Sequence, residues 1–257
     1  MSKKRIVLKI GTSNLSDGEK IQEGVIYKIA ECVAHLRDKF HVILVSSGAV
    51  ASGYTQLRLD KQVLAHKQAL ASIGQPLLLE SYRKCFASFG ILSAQILLSG
   101  HDFDSRKATQ HARDTIEVLL EHNVIPILNE NDAIATAELM FGDNDRLSAH
   151  IAYYLGAELL VILSDIDGYY DKDPHRFDDA KLIPFLDQIP QEKLQTSYDP
   201  YGNFATGGIV TKLIAADFLL QKGRAMFLCN GNQLGHLEDF LLRQIQKSGT
   251  LFGEFNG

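Results

Sequence analysis

The chain has 257 residues, 46% of them hydrophobic and 22% charged, and its formal net charge is −5. This composition excludes disordered and collagen-like chains, and the acidic balance argues against a nucleic-acid partner. The longest apolar runs are far below the roughly 20 residues that span a bilayer. The N-terminal apolar run breaks at Lys9, too early for a signal peptide. The three cysteines are scattered along the chain, which suits a reducing compartment. We therefore expect a cytoplasmic protein without a membrane or nucleic-acid partner.

Short apolar segments alternate with segments of helical periodicity along the whole chain. Strands are predicted, in chain order, at residues 5–10, 41–46, 91–98, 124–129, 158–164 and 225–229. Most of them are continuous apolar runs, which is typical of strands covered on both faces. Between them, a helix running through Phe86 is expected to carry Pro76 in its first turn. The alternation predicts an α/β fold, a three-layer αβα sandwich with a mostly parallel central sheet.

No repeat, low-complexity stretch or Gly/Ser-rich linker divides the sequence. We therefore expect a single domain over residues 1–257, with at most two lobes that meet around residues 150–165 of one continuous sheet. The most polar region, residues 165–181, reads as a long loop that leaves a strand, and loops of this length are usually functional or mobile.

Ligands of open α/β sheets collect beyond the carboxyl ends of the strands, because helix N-termini and loop amides converge there. Polar or small-residue segments follow most of the predicted strands; in chain order they are KIGTSN, SSGAVASG, NENDA with FGDND after a short insertion, and SDIDG. A further segment, TGGIVTK, opens a predicted helix and brings free N–H groups and a lysine to its start. Each segment alone has an ordinary structural explanation. Together they favour a phosphorylated ligand.

Motifs of several other enzyme classes are absent from the sequence. The P-loop pattern, G-x-G-x-x-G after the first strand, G-x-S-x-G and H-E-x-x-H do not occur, and the acidic residues 165–173 do not fit the glycine offset of an EF-hand. The nine His residues show no ligand spacing, so we expect no metal site built from protein side chains alone.

The motifs resemble the amino acid kinase superfamily over essentially the whole length. They are VLKIGTSNL, VSSGAVASG, IPILNENDAIATAE, GDNDRLSA, LSDIDGYYDKDP and ATGGIVTKLIAA, all in order. The tandem NEND and GDND pair looks most like the members that phosphorylate glutamate. Ser164-Asp165 replaces the familiar Thr-Asp and keeps the hydroxyl group. Many bacterial members also carry a C-terminal PUA domain, which we do not expect in this chain.

The resemblance implies phosphoryl transfer from ATP to the γ-carboxylate of L-glutamate, giving L-glutamyl 5-phosphate at the start of proline biosynthesis. Mg²⁺ would be held mainly by the phosphates. It implies catalytic roles for Lys9, Asp145 and Lys212, and glutamate binding by Ser47, Asp132 and Asn144. The implied nucleotide-binding residues are Lys9, Gly11, Ser164, Asp165, Thr206, Gly207, Gly208 and Lys212.

The resemblance also implies an organisation and partners. Residues 1–150 would form the amino-acid side and residues 151–257 the nucleotide side. A homo-oligomer, dimer or tetramer, and a functional link to a glutamyl phosphate reductase are expected. Two alternatives stay open: another amino acid kinase, acting on N-acetylglutamate, aspartate, carbamate or UMP, and a non-catalytic sensor of amino acids or nucleotides. The NEND/GDND pair argues against the first, and the retained Lys9, Asp145 and Lys212 against the second.

Overall fold

The computed structural model describes residues 3–17, 20–134, 144–195 and 208–256. Its strands are β1 (Lys4–Ile10), β2 (Phe40–Ser46), β3 (Ser93–Leu98), β4 (Ile125–Glu130), β5 (Leu159–Ser164), β6 (Phe185–Leu186), β7 (Ala225–Asn230) and β8 (Thr250–Phe252). Its helices are α1 (Thr12–Leu15), α2 (Glu23–Leu36), α3 (Ala49–Tyr54), α4 (Leu64–Ala87), α5 (Gly100–Asp104), α6 (Arg106–Glu121), α7 (Asn144–Tyr154), α8 (Gln191–Gln195), α9 (Ile209–Gln221) and α10 (Leu234–Arg243).

The described strands form one sheet in the order β3-β4-β2-β1-β5-β7-β8-β6. Its pairs are parallel except for β7 with β8, which is antiparallel. The prediction of an α/β fold with a mostly parallel sheet is therefore confirmed. All six predicted strands occur, with ends shifted by at most two residues, whereas the short β6 and β8 were not predicted.

Helices cover both faces of the sheet, and the alternation of side chains along each strand divides the core into two. On β1, Ile6, Leu8 and Ile10 pack on the face covered by α2, α4 and α10. Val7 packs on the opposite face, against α6, α7 and α9. Because successive side chains of a strand point to opposite faces, Lys9 shares the face of Val7 and therefore lies beneath α7 and α9. This register decides which helices can reach the lysine.

The predicted position of Pro76 in a first turn is wrong. Pro76 lies inside α4, which begins twelve residues earlier, at Leu64. Proline in a helix interior removes one backbone hydrogen bond, but the preceding turns of α4 are held by a very close packing against α3. A Cβ atom built on Gly74 would lie 1.8 Å from the Ala49 carbonyl oxygen, and one on Gly53 would lie 1.9 Å from the Leu70 carbonyl oxygen. The glycines thus let the two helix backbones touch.

This contact predicts that Gly74→Ala destabilises the fold. Because the new methyl group would meet backbone atoms that cannot rotate away, we expect a loss of at least about 1–3 kcal/mol in the free energy of unfolding. Gly24→Ala, in α2, is the matched control, since its Cβ meets nothing within 4 Å. It should stabilise the protein by about 0.5–1 kcal/mol. Urea denaturation of both variants measures the difference, and equal midpoints would contradict the packing described here.

The three cysteines, Cys32, Cys85 and Cys229, are free thiols. Cys32 and Cys229 are buried in the core on the α2 side of the sheet. Burial raises the pKa of both thiols, which keeps them protonated and unreactive. Within the described ranges, none of the helices is both long and apolar enough to cross a membrane.

Candidate active site

A buried ion cluster lies where β1, α7 and α9 meet. Lys9 Nζ lies 2.5 Å from Asp145 Oδ1, and Lys212 Nζ donates to Asp145 Oδ2 at 3.1 Å. The hydroxyl group of Thr211 lies 3.0 Å from the same Oδ2 atom. The side chain of Asp145 is fully buried, and those of Lys9 and Lys212 are only 5% and 8% exposed. One carboxylate thus contacts two ammonium groups in surroundings where charge is weakly screened.

Each member of the cluster is placed by its own element. The register of β1 turns Lys9 toward the α7 and α9 face of the sheet. Asp145 lies in the first turn of α7, where the helix dipole stabilises a negative charge. Lys212 follows one turn after Gly208, the residue that caps the N-terminus of α9. Three segments far apart in sequence therefore converge on one point, as the resemblance implies for these residues.

The cluster borders a cavity of about 450 Å³ at the carboxyl ends of β1, β2, β4 and β5, which we call the first cavity. Seven of the residues singled out from the sequence line it: Lys9, Gly11, Ser47, Asp132, Asn144, Ser164 and Lys212. The structure therefore brings the implied glutamate-binding residues and the two lysines of implied catalytic role to the same cavity.

Asn144 ties the walls of the first cavity together. Its Nδ2 lies 2.9 Å from each of three acceptors: the carbonyl oxygen of Ser46, Oγ of Ser47 and Oδ1 of Asn129. In turn, Asn129 donates to Gln75 Oε1 on α4 at 2.7 Å. The carboxyl ends of β2 and β4 are thereby fixed to the start of α7, and the implied substrate ligands Ser47 and Asn144 touch each other.

The small-residue segment after β2 forms another wall of the first cavity. Gly48 has φ = +104°, a left-handed conformation that costs glycine little and other residues more. The four residues 48–51 all border the cavity. From the sequence, this segment could either approach a ligand or make a close contact between a helix and a strand. In the structure it borders the first cavity and, through Gly53, packs closely on helix α4.

Asp132 lies in the loop after β4. Burial raises the pKa of its carboxyl group, and the positive charge of Lys67 on α4 partly lowers it. Both residues line the cavity. The carboxylate is therefore poorly solvated and gains from a nearby cation.

A second cavity, of about 500 Å³, also borders the ion cluster, at Lys212. It is lined only by residues between 164 and 213, and it shares Ser164 and Lys212 with the first cavity. Asp165 and Gly208, both implied in nucleotide binding, line this second cavity. Thr206 and Gly207, the remaining implied ligands, lie outside the described residues. The two cavities thus meet at Lys212 and Ser164.

Several residues of the site were not identified from the sequence. Lys61 and Lys67 line the first cavity, and Thr211 bonds to Asp145. Asn14 is buried and donates from Nδ2 to the carbonyl oxygen of Ser164 at 3.1 Å, which joins the ends of β1 and β5. Asn14 and Thr211 lie inside the motifs KIGTSN and TGGIVTK, so their position in these motifs could have identified them from the sequence. The two lysines stand in no motif.

Over the described ranges, no group of three or more His, Cys, Asp or Glu side chains could hold a metal ion.

The sequence pattern of the amino acid kinase family matches residues 4–230. The chain belongs to the amino acid kinase family. Among its relatives, glutamate 5-kinase of Helicobacter hepaticus is 59% identical over 252 residues, covering 98% of this chain and 96% of the relative. Glutamate 5-kinase of Wolinella succinogenes is 55% identical and covers 97% of both chains. This amino acid kinase is therefore similar to those two enzymes over nearly its full length.

Solved structures of other kinases share the fold. The isopentenyl phosphate kinase of T. acidophilum superimposes with a TM-score of 0.66 at 17% identity, covering 96% of this chain and 99% of that one. UMP kinase of Ureaplasma parvum gives a TM-score of 0.64 at 16% identity, with 99% and 100% covered. At such identities the likeness concerns the fold and not the substrate.

Proposed function

We propose that this protein transfers the γ-phosphoryl group of ATP to the γ-carboxylate of L-glutamate, giving L-glutamyl 5-phosphate, the first step of proline biosynthesis. The observation that carries the proposal is the Lys9–Asp145–Lys212 cluster at the boundary of two cavities. A reaction that joins two anionic substrates needs fixed cations at their meeting point. The high identity to relatives named glutamate 5-kinase supports glutamate as the acceptor.

Catalysis is electrostatic in this proposal. As the phosphoryl group leaves ATP, negative charge spreads over its oxygens, and the ammonium groups of Lys9 and Lys212 stabilise that charge. Asp145 touches both lysines and acts as a positioning residue that holds them in place. The γ-carboxylate of glutamate is itself the nucleophile, so no protein nucleophile takes part.

The two substrates occupy the two cavities. Ser47, Asp132 and Asn144 bind glutamate in the first cavity, where residues of the 1–150 side predominate. The nucleotide occupies the second cavity, on the 151–257 side, and its phosphates extend past Ser164 and Lys212, which line both cavities, toward Gly11 in the first cavity. In this proposal both sides belong to a single domain over residues 1–257, which the direct pairing of β1 with β5 in one sheet supports.

Mg²⁺ accompanies the nucleotide in this proposal. In phosphoryl-transfer enzymes it is usually bound by substrate phosphates with one or two carboxylates. Glu130 in the first cavity and Asp165 in the second are oxygen donors of that kind. Mg²⁺ bound by the phosphates and either of these carboxylates would neutralise phosphate charge.

The proposal includes further expectations from the sequence. The protein forms a homo-oligomer, a dimer or tetramer, and acts in the cytoplasm. Its product is a reactive acyl phosphate, so a glutamyl phosphate reductase is the expected functional partner.

The proposed site predicts a marked preference for glutamate. N-Acetylglutamate lacks the ammonium group that Asp132 would pair with and adds bulk, so we expect its kcat/KM to be at least about 100-fold lower. Aspartate is one methylene shorter, which leaves its carboxylate about 1.5 Å from the reactive position, and it should react poorly. Trapping the acyl phosphate with hydroxylamine gives initial rates for all three substrates. Equal rates with N-acetylglutamate would contradict both the glutamate assignment and the role of Asp132.

A further inference from the structure

Four lysines line the first cavity. Two of its four lysines, Lys9 and Lys212, are held by Asp145 next to the second cavity. The other two come from the start of α4 and the residues before it. Lys61 is exposed, and its Nζ lies 3.8 Å from the ring centroid of Tyr54, in a cation–π contact. Lys67 is half-buried. Of these two, Lys67 is the better placed to serve a ligand inside the cavity.

Lys67 and Asp132 both line the first cavity. The two come from different elements, Lys67 from the first turns of α4 and Asp132 from the loop after β4. Among the residues that the structure describes, no carboxylate oxygen lies within 4.0 Å of Lys67 Nζ. The ammonium group nevertheless acts on the carboxyl group of Asp132, since it lowers the pKa that burial raises. An anion and a cation thus lie near each other without forming a closed ion pair.

A free α-amino acid presents the complementary arrangement. Its α-ammonium and α-carboxylate groups are bonded to one carbon, so they need an anion and a cation side by side. In a poorly solvated cavity, either charge left without a counter-charge would be costly. Among the residues that line the first cavity, Asp132 supplies the anion and Lys67 supplies the cation.

We infer that Lys67 binds the α-carboxylate of the amino-acid substrate while Asp132 binds its α-ammonium group. The inference rests on the proposed function and deepens it. With the α-carbon fixed between these two residues, the side chain points along the cavity toward Lys9 and Lys212, where phosphoryl transfer takes place. Lys67 is therefore a specificity residue that selects α-amino acids over simple amines and dicarboxylates.

The test compares L-glutamate with 4-aminobutanoate in the wild type and in the Lys67→Met variant. 4-Aminobutanoate keeps the ammonium group and the reacting carboxylate of glutamate and lacks only the α-carboxylate. The substitution should lower kcat/KM for glutamate about 10- to 100-fold, chiefly through KM, because a charge-assisted contact is lost. It should change the value for 4-aminobutanoate less than about 2-fold. Where turnover of 4-aminobutanoate is slow, its inhibition constant against glutamate gives the same comparison.

Two further variants control for folding and for charge. Lys84→Met removes a lysine from the other end of α4, whose side chain is 64% exposed, and should leave both substrates unaffected. Lys67→Arg keeps the positive charge and should retain most of the preference for glutamate. The KM for ATP and the thermal unfolding midpoint should match the wild type in all three variants.

Distinct results separate this inference from the proposed function. Wild-type protein that forms no glutamyl phosphate contradicts the function itself. Active wild type with equal losses for both substrates in Lys67→Met would mean that the lysine only supports the fold, and the inference would be wrong. Selective loss of glutamate activity in Lys61→Met, with Lys67→Met normal, would overturn it in favour of Lys61.

Discussion

Lys212→Ala should lower kcat about 100- to 1,000-fold while changing the KM for L-glutamate only a few fold. The ammonium group lies at the boundary of the two cavities, 3.1 Å from Asp145 Oδ2 and almost fully buried. In the proposed mechanism it stabilises negative charge that grows in the transition state, and such interactions raise kcat more than they tighten substrate binding. Steady-state kinetics with both substrates varied measures this split.

Lys222→Ala is the matched control for this change. Lys222 follows the same helix at its C-terminal end, where its Nζ lies 5.6 Å from the ring centroid of Tyr153, and it lines neither cavity. Its removal should leave kcat unchanged. A Lys212→Ala variant with wild-type kcat and a raised KM for ATP would show that this lysine only binds the nucleotide.

Asp145→Asn should be nearly as damaging, although Asp145 touches no reacting atom in the proposed mechanism. Asparagine keeps the shape of the side chain and removes the charge, so Lys9 and Lys212 would repel each other without a counter-ion in a buried site. We expect kcat to fall about 100-fold or more. The free energy of unfolding should be measured alongside, because loss of a buried ion pair also weakens folding.

The double variant Asp145→Asn/Lys212→Ala tests whether the two residues work together. Because Asp145 acts through the lysines, its loss should matter much less once Lys212 is gone, and the combined effect should be well below the product of the single effects. The control for the loss of a carboxylate is Asp217→Asn. Asp217 lies on α9 and accepts a hydrogen bond from Gln221. Multiplicative effects would mean that Asp145 and Lys212 act separately.

The fold could be predicted from the sequence because its strands are covered on both faces. Continuous apolar runs such as residues 159–163 have no other stable location in a chain of alternating strands and helices. The two strands that were not predicted, β6 and β8, have two and three residues, too few for any pattern to show. The start of α4 was misplaced because Pro76 usually marks a first turn, and the contact between Gly53 and Gly74 that settles the matter is a tertiary one.

The candidate site was predictable where its residues lie in polar or small-residue segments that follow strands or open helices, as Asp145 and Lys212 do. Lys9, Ser47 and Asp132 come at or just after strand ends, and the topology of a parallel sheet gathers such positions at one edge. Lys67 gives no such signal, since it lies on a helix and reaches the first cavity only because α4 packs over the ends of β2 and β4. Its position depends on contacts between distant segments, which local sequence patterns do not encode.

The most direct test of the account follows one oxygen atom. L-Glutamate carrying ¹⁸O in its γ-carboxylate is incubated with the protein and MgATP, and the acyl phosphate is trapped with hydroxylamine. Hydroxylamine attacks the acyl carbon, so the bridging oxygen leaves with the phosphate. We predict one ¹⁸O atom in each released phosphate, and none when the label is in the α-carboxylate. Unlabelled phosphate from γ-labelled glutamate would contradict phosphoryl transfer to this carboxylate.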